Sequence, residues 1–292
     1  MFKKCLVAVL LFCVSLSANA CDVCGGSGTG AYLGLMPQFQ RNLIGLRLQT
    51  QQFVTSATHT EEATDSYLRY ELFGAYYVTK NIQLIGILPY QTNHREEGAI
   101  STTLSGMGDM TLIANYNFKA FKTGEKLKHR FQVGGGFVLP TGKHDKDAGR
   151  LRNFQLGRNS FDYLFNLQYY LSFGKWQINQ QFVYRLNSLH ETTYQYGDEL
   201  NESLQLAYNM SKFGVKWIPY GGLNYESAAY DLENSKRKSD TTSEVLFVSY
   251  GLQVFKNNWT SGIEVRTPLS QEIAEGQIET NSRITLNLSY LF

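Results

Sequence analysis

Cys21 and Cys24 are the residues of this chain whose type and spacing point most directly to chemistry. They lie in "SANACDVCGGSGTG" (residues 17–30), and past residue 15 the chain has no other cysteine. A C-x-x-C pair can close a disulfide, clip a metal, act as a redox dithiol or form half of a haem attachment site. Two further groupings invite the same question. "GRNSFDY" (157–163) gathers Asn159, Ser160 and Asp162, but no histidine is placed beside them, and a serine without a base is a poor nucleophile. "TGKHDKDAGR" (141–150) offers His144, Asp145 and Asp147, a mixed N and O donor set suited to a divalent cation, opposed by Lys143 and Lys146. No catalytic residue, metal site or cofactor is expected from either grouping, and the chain reads as a non-enzyme.

The meaning of the cysteine pair depends on compartment. Lys3 and Lys4, an apolar run from Cys5 to Leu16 and Ala18-Asn19-Ala20 have the layout of a secretory signal peptide over residues 1–20. Cleavage there makes Cys21 the first residue of the exported chain. An oxidising periplasm favours a closed disulfide. Haem attachment fails because Gly25 stands where C-x-x-C-H needs histidine, and a zinc site would need ligands that no further cysteine supplies. Three readings stay open: a local Cys21–Cys24 disulfide, contact with a metal or a periplasmic redox partner, and lipidation of Cys21.

Removing Lys3 and Lys4 from the 27 Lys and Arg leaves 25, against 25 Asp and Glu. A neutral chain lacks the basic surface that a nucleic-acid partner requires. Aromatic residues make up 14% and charged residues 18%, an uncommon balance for a soluble domain.

Those residues must be positioned by strands. After residue 20 no apolar run is long enough for a transmembrane helix. What recurs is strict alternation, clearest in "WQINQQFVYRLN" (176–187), where Trp176, Ile178, Phe182, Tyr184 and Leu186 share one face and Gln177, Asn179, Gln181 and Arg185 the other. The pattern predicts about twelve strands, near 41–54, 65–78, 82–91, 107–118, 129–139, 158–172, 176–187, 199–211, 213–225, 242–255, 258–268 and 281–292. Short connections alternate with long polar ones, including 92–106 and 140–157, which is the layout of an antiparallel transmembrane β-barrel of the outer membrane. A soluble sandwich would carry Lys and Glu on its polar face. Here that face is mostly Asn, Gln, Ser and Gly, and the apolar face carries aromatics fit for lipid contact. Pro89, Pro140, Pro219 and Pro268 are expected at strand ends, where a missing ladder donor costs least. Gly134-Gly135-Gly136 marks a bend or a close approach to the wall.

An even strand count puts both termini on the periplasmic side. "RITLNLSYLF" ends the chain on an outward aromatic, Phe292, a signal fit for the outer-membrane assembly machinery. The alternation places Arg47, Gln49, Arg69, Glu71, Asn115, Gln132, Asn166, Gln168, Asn179, Gln181, Arg185, Glu264 and Arg266 in the lumen, along a solute path. Residues 21–40, small and Gly-rich and then apolar in "AYLGLMPQF", are expected as a periplasmic segment that plugs a barrel of residues 41–292.

Two motifs carry a family likeness. "SGMGDMTLIANYNF" (105–118) and "GGGFVLPTGKHDKD" (134–147) resemble the G-x-G-D strand opening and the LPTG strand-to-loop junction of outer-membrane transporter barrels of the phenol meta-pathway (MetA-type) class. "CDVCG" with "LMPQFQRNLIGLR" is similar to the mature start of a Bacteroidetes-type subgroup. The resemblance implies a monomeric transport barrel for small hydrophobic or aromatic molecules and supplies no catalytic residues. The expected function is passive passage of such a solute across the outer membrane. The alternative is a barrel that docks a periplasmic redox or metal-handling protein through Cys21 and Cys24.

Overall fold

Inward and outward side chains alternate along each wall strand, so a single register sorts the whole sequence into lumen and lipid faces. The computed structural model describes residues 41–55, 62–144, 154–190 and 193–292. The expected signal peptide, Cys21, Cys24, the 21–40 segment, Asp145 and Asp147 lie outside the described residues.

The wall is built from β1 (Leu43–Thr55), β2 (Ala63–Tyr77), β3 (Ile82–Glu97), β4 (Ile100–Met107), β5 (Met110–Asn117), β6 (Leu127–Leu139), β7 (Asp162–Phe173), β8 (Trp176–Leu186), β9 (Glu199–Tyr208), β10 (Val215–Ala228), β11 (Ser243–Lys256), β12 (Trp259–Ile273) and β13 (Arg283–Leu291). β4 and β5 are two halves of one wall strand, both paired to β3, so the barrel has twelve antiparallel strands. It closes where β13 lies between β1 and β12. Closure leaves no unpaired edge along the seam, the condition a sheet must meet in hydrocarbon.

Along β1, Leu43, Arg47, Gln51 and Phe53 are buried while Ile44, Leu46 and Val54 are exposed. In β8, Gln177, Asn179, Gln181, Val183 and Arg185 are buried and Trp176 and Phe182 exposed. A slip of one residue would turn every arginine to lipid, so the two-faced sequence fixes the register.

The expected long loop 92–106 is instead a strand extension. β3 runs on to Glu97, turns at Gly98 with φ 56°, and returns as β4, pairing Thr92 with Ser105 and His94 with Thr103. Its outward residues are Thr92, His94, Glu96, Ser101, Thr103 and Ser105. Both faces meet water there, so the ladder persists while the apolar alternation that reveals it is lost.

The prolines also differ from expectation, since three of them sit inside strands. Pro89 lies where β3 passes from β5 to β4, and its carbonyl accepts the Gly108 N–H at 2.9 Å. Pro219 falls where the ladder to the preceding segment is interrupted, between Ala207–Tyr220 and Met210–Trp217. Pro268 sits beside the β-bulge of β12 against Leu246 and Phe247. Each occupies a ladder fault, where no N–H is asked for.

At the long-loop rim, residues 189–190, 194–195, 231–233 and 236–238 form a separate four-stranded sheet.

Candidate lumen site

The alternation brings two kinds of polar group to the inner wall. Across β3, β5, β6, β7 and β8 they are carboxamides. Gln132 Nε2 donates to Gln83 Oε1 at 2.9 Å, and Asn166 Nδ2 donates to Asn115 Oδ1 at 2.9 Å. Asn115 Nδ2 reaches Gln83 Oε1 at 3.4 Å, and Gln168 Nε2 reaches Asn179 Oδ1 at 3.4 Å. Asn115 and Asn166 stand on strands separated by β6, and Gly134 of β6 lies between them. A Cβ at Gly134 would come within 1.9 Å of Asn115 Oδ1. The glycine run is therefore the saddle over which the amides meet.

Elsewhere the groups are ionic. Glu71 on β2 pairs with Arg47 of β1 and, at 2.7 Å, with Arg69. Glu226 on β10 pairs with Arg283 at 2.7 Å and Arg266 at 3.2 Å, and Arg266 Nε donates to Glu264 at 2.7 Å. Gln205 Nε2 links that cluster to its neighbours by donating to Glu264 Oε2 at 3.2 Å. A third cluster lies toward the long loops, where Arg185 Nε donates to Asp162 at 3.0 Å and Arg158 pairs with Glu199. Opposite charges in contact offset each other's desolvation, which an isolated buried ion could not do.

Every polar lumen candidate thus lies on the inward face: Arg47, Glu71, Asn115, Gln132, Asn166, Gln168, Asn179, Gln181, Arg185 and Glu264 are buried, and Gln49, Arg69 and Arg266 half-buried. The sequence reading missed an apolar set on the same face. Leu43, Phe73, Ile85, Ile87, Ile113, Val138, Leu164 and Val183 are buried and belong to one contiguous cluster. Phe73 has the parity of Glu71, Ile113 of Asn115 and Leu164 of Asn166. Parity alone, without regard to polarity, would have found them.

The two motifs that carried the family likeness meet in space. Asp109, at the break between β4 and β5, accepts the Gly142 N–H at 2.9 Å and the Arg158 N–H at 2.7 Å. Thr141 Oγ1 accepts the Met110 N–H at 2.9 Å. Gly142 and Gly157 pass so closely that a Cβ on Gly142 would lie 2.7 Å from Gly157 Cα. Just before Gly157, Phe154 and Leu156 are buried. Asn93 Nδ2 donates to the Phe154 carbonyl at 2.8 Å and Gln91 Nε2 to the Leu156 carbonyl at 2.9 Å.

The groupings first weighed for catalysis are engaged otherwise. Asp162 holds Arg185 and the Ser188 N–H, so it is not a base for Ser160. His144 Nδ1 is 3.1 Å from the Gly157 carbonyl, His94 lies between Thr103 and Glu96, and His129 lies 2.8 Å from the Tyr169 hydroxyl. Among the described residues no three His, Cys, Asp or Glu side chains converge as a metal would need. Beyond the apolar band, Asp65 pairs with Arg95 at 3.0 Å. Burial pushes its pKa from 3.8 up to about 6, with Arg95 opposing and Glu97 adding to the rise.

A family model described as "Putative MetA-pathway of phenol degradation" matches residues 37–270. The chain belongs to this family. The matched span excludes "CDVCG". Among solved structures, the COG4313 outer membrane channel from Pseudomonas putida F1 is similar with a TM-score of 0.64 at 14% identity, covering 86% of this chain and 95% of that one. The translocator domain of autotransporter NalP from Neisseria meningitidis has a TM-score of 0.46 at 12% identity, covering 86% and 88%. The CymD monoaromatic hydrocarbon channel has 0.38 at 10%, again covering 86% and 88%. No curated protein matches the chain. The fold is that of an outer-membrane barrel.

Proposed function

We propose that the barrel is a passive outer-membrane channel for a small hydrophobic solute, aromatic solutes included. The observation that carries this reading is the apolar cluster inside the lumen. It joins inward residues of β1, β2, β3, β5, β6, β7, β8, β9, β10, β11 and β13 into one packed cluster, from Leu43 and Phe73 to Ile218 and Phe255. A wall needed only for closure could be polar throughout on its inner face, as in a water-filled porin. The flanking amides and ion pairs, from Arg47 and Glu71 to Glu264 and Arg266, would border the path and hold its width.

Uptake of radiolabelled toluene by cells with an intact lipopolysaccharide layer tests the reading. Expression of the barrel should raise uptake severalfold, and Ile113→Asn with Leu164→Asn should remove most of the gain. Uptake no greater than in cells lacking the barrel would overturn it.

The first and last strands end at the same rim as the short connections, which supports a periplasmic placement of both termini. A tag after Phe292 should therefore resist labelling on intact cells and react after permeabilisation. Leu43, Leu291 and Ala75 make that end of the lumen apolar, a suitable seat for residues 21–40 as a plug. Liposome swelling with and without residues 21–38 separates a plugged from an open barrel.

A further inference from the structure

The outer surface carries its charge unevenly between the two rims. All three tryptophans of the chain, Trp176, Trp217 and Trp259, point outward at the short-connection ends of β8, β10 and β12. Trp176 packs edge-on against Tyr208 and Trp259 against Tyr290. Amphipathic rings at one level of a barrel mark the headgroup plane of the membrane.

Immediately past that plane the connections are basic. Lys80 follows β2, Lys122 and Lys126 follow β5, Lys175 follows β7, Lys212 follows β9 and Lys256 ends β11, and all six are exposed. Glu125 is the one acidic side chain in those five connections. Among the described residues none of the six lysines takes part in an ion pair, and Lys212 lies over the Phe213 ring. The opposite rim is mixed in sign among the described residues, with Glu62, Glu96, Glu272, Glu275 and Glu279 exposed beside Lys143, Lys236 and Arg237.

We propose that the short-connection rim is a collar that binds the phosphate headgroups of anionic phospholipids in the adjoining leaflet. The tryptophans fix the depth of the barrel, and the lysine stems reach past them so that each ammonium meets a headgroup. Distribution decides between a lipid and a protein partner. A docked protein would call for one basic patch, whereas these charges recur in every short connection, all the way round. Only a planar leaflet touches the whole ring at once. The attraction of a lysine to an anionic surface fades within a Debye length, so the collar acts only on lipids in direct contact.

Native mass spectrometry of the detergent-solubilised full-length barrel tests this, with phosphatidylglycerol or phosphatidylcholine of identical acyl chains as the probe. At low salt phosphatidylglycerol should bind about tenfold more tightly. Replacing the six collar lysines, Lys80, Lys122, Lys126, Lys175, Lys212 and Lys256, by Gln should abolish most of that preference, while Lys236→Gln/Lys238→Gln on the opposite rim leaves it intact. Heat-modifiable gel mobility confirms that each variant is folded. Equal binding of the two lipids by the wild type, or a preference that survives the six substitutions, would overturn the proposal. Retention on a polyphosphate resin without any lipid preference would also overturn it, in favour of a soluble anionic partner. None of these outcomes depends on what the channel conducts.

Discussion

The amide belt of β3 to β8 and the ion clusters around Glu71 and Glu226 perform the same task with different chemistry. Each fills inner wall that must not collapse and must not leave polar groups bare. The amides do so with neutral bonds such as Gln132 to Gln83, spread over several strands. The ion clusters concentrate the work in a few carboxylates: Glu226 holds Arg283 and shares Arg266 with Glu264. Loss of one amide strands a neutral atom, whereas loss of one carboxylate strands buried cations. The belt should therefore be tolerant and the clusters brittle.

Glu226→Ala gives the sharpest test of that contrast. It leaves the buried Arg283 guanidinium without its carboxylate, and half-buried Arg266 with Glu264 alone, and should cost about 3–5 kcal/mol in thermal or denaturant unfolding in detergent. A loss below about 1 kcal/mol, the scale of a surface pair, would show that the clusters are as forgiving as the belt.

Gly134→Ala comes next, because it attacks the belt through sterics rather than hydrogen bonding. The added methyl meets Asn115 Oδ1 and, at 2.8 Å, the Ala114 carbonyl. The expected cost is about 1–3 kcal/mol. Asn115→Ala in the same chain should recover part of it, since the side-chain clash goes and the backbone contact stays. No recovery would assign the strain to the backbone alone.

Asn166→Leu removes a single belt bond at nearly constant volume and should cost about 1 kcal/mol. A cost as large as that of Glu226→Ala would erase the distinction between the two regions.

The smallest effect is expected at Asp65, outside both. Its folded pKa of about 6 lies above the unfolded value, so the folded state holds the proton more tightly. The resulting stabilisation is full at low pH and lost as pH rises through about 6. Wild-type unfolding temperature minus that of Asp65→Asn should fall over that interval. Parallel pH profiles would show an ordinary carboxylate.

How much of this could be read from the sequence depended on where each strand runs. Within the apolar band one face meets lipid and the other the lumen, so "WQINQQFVYRLN" declares both faces of β8. Beyond the band that contrast vanishes, which is why the hairpin of β3 and β4 looked like a loop. The lumen was legible where it was polar. Phe73, Ile113 and Leu164 went unnoticed because hydrophobicity was taken as the mark of the lipid face, although in a narrow barrel side chains can pack across the interior as in any core. The meeting of the G-x-G-D and LPTG motifs was hidden for another reason. Asp109 and Gly142 are 33 residues apart, and no local periodicity reports a contact of that range.

Asp109 also has a consequence for the order of assembly. Its two bonds reach 33 and 49 residues along the chain, to either end of the excursion between β6 and β7. Closing so long a loop by itself is entropically costly. Pairing of β5 with β6 and of β6 with β7 first shortens the effective distance to a few ångströms, after which the carboxylate can clasp both ends together. The clasp is therefore expected among the later contacts to form, and with it the seating of Phe154 and Leu156 against Asn93 and Gln91.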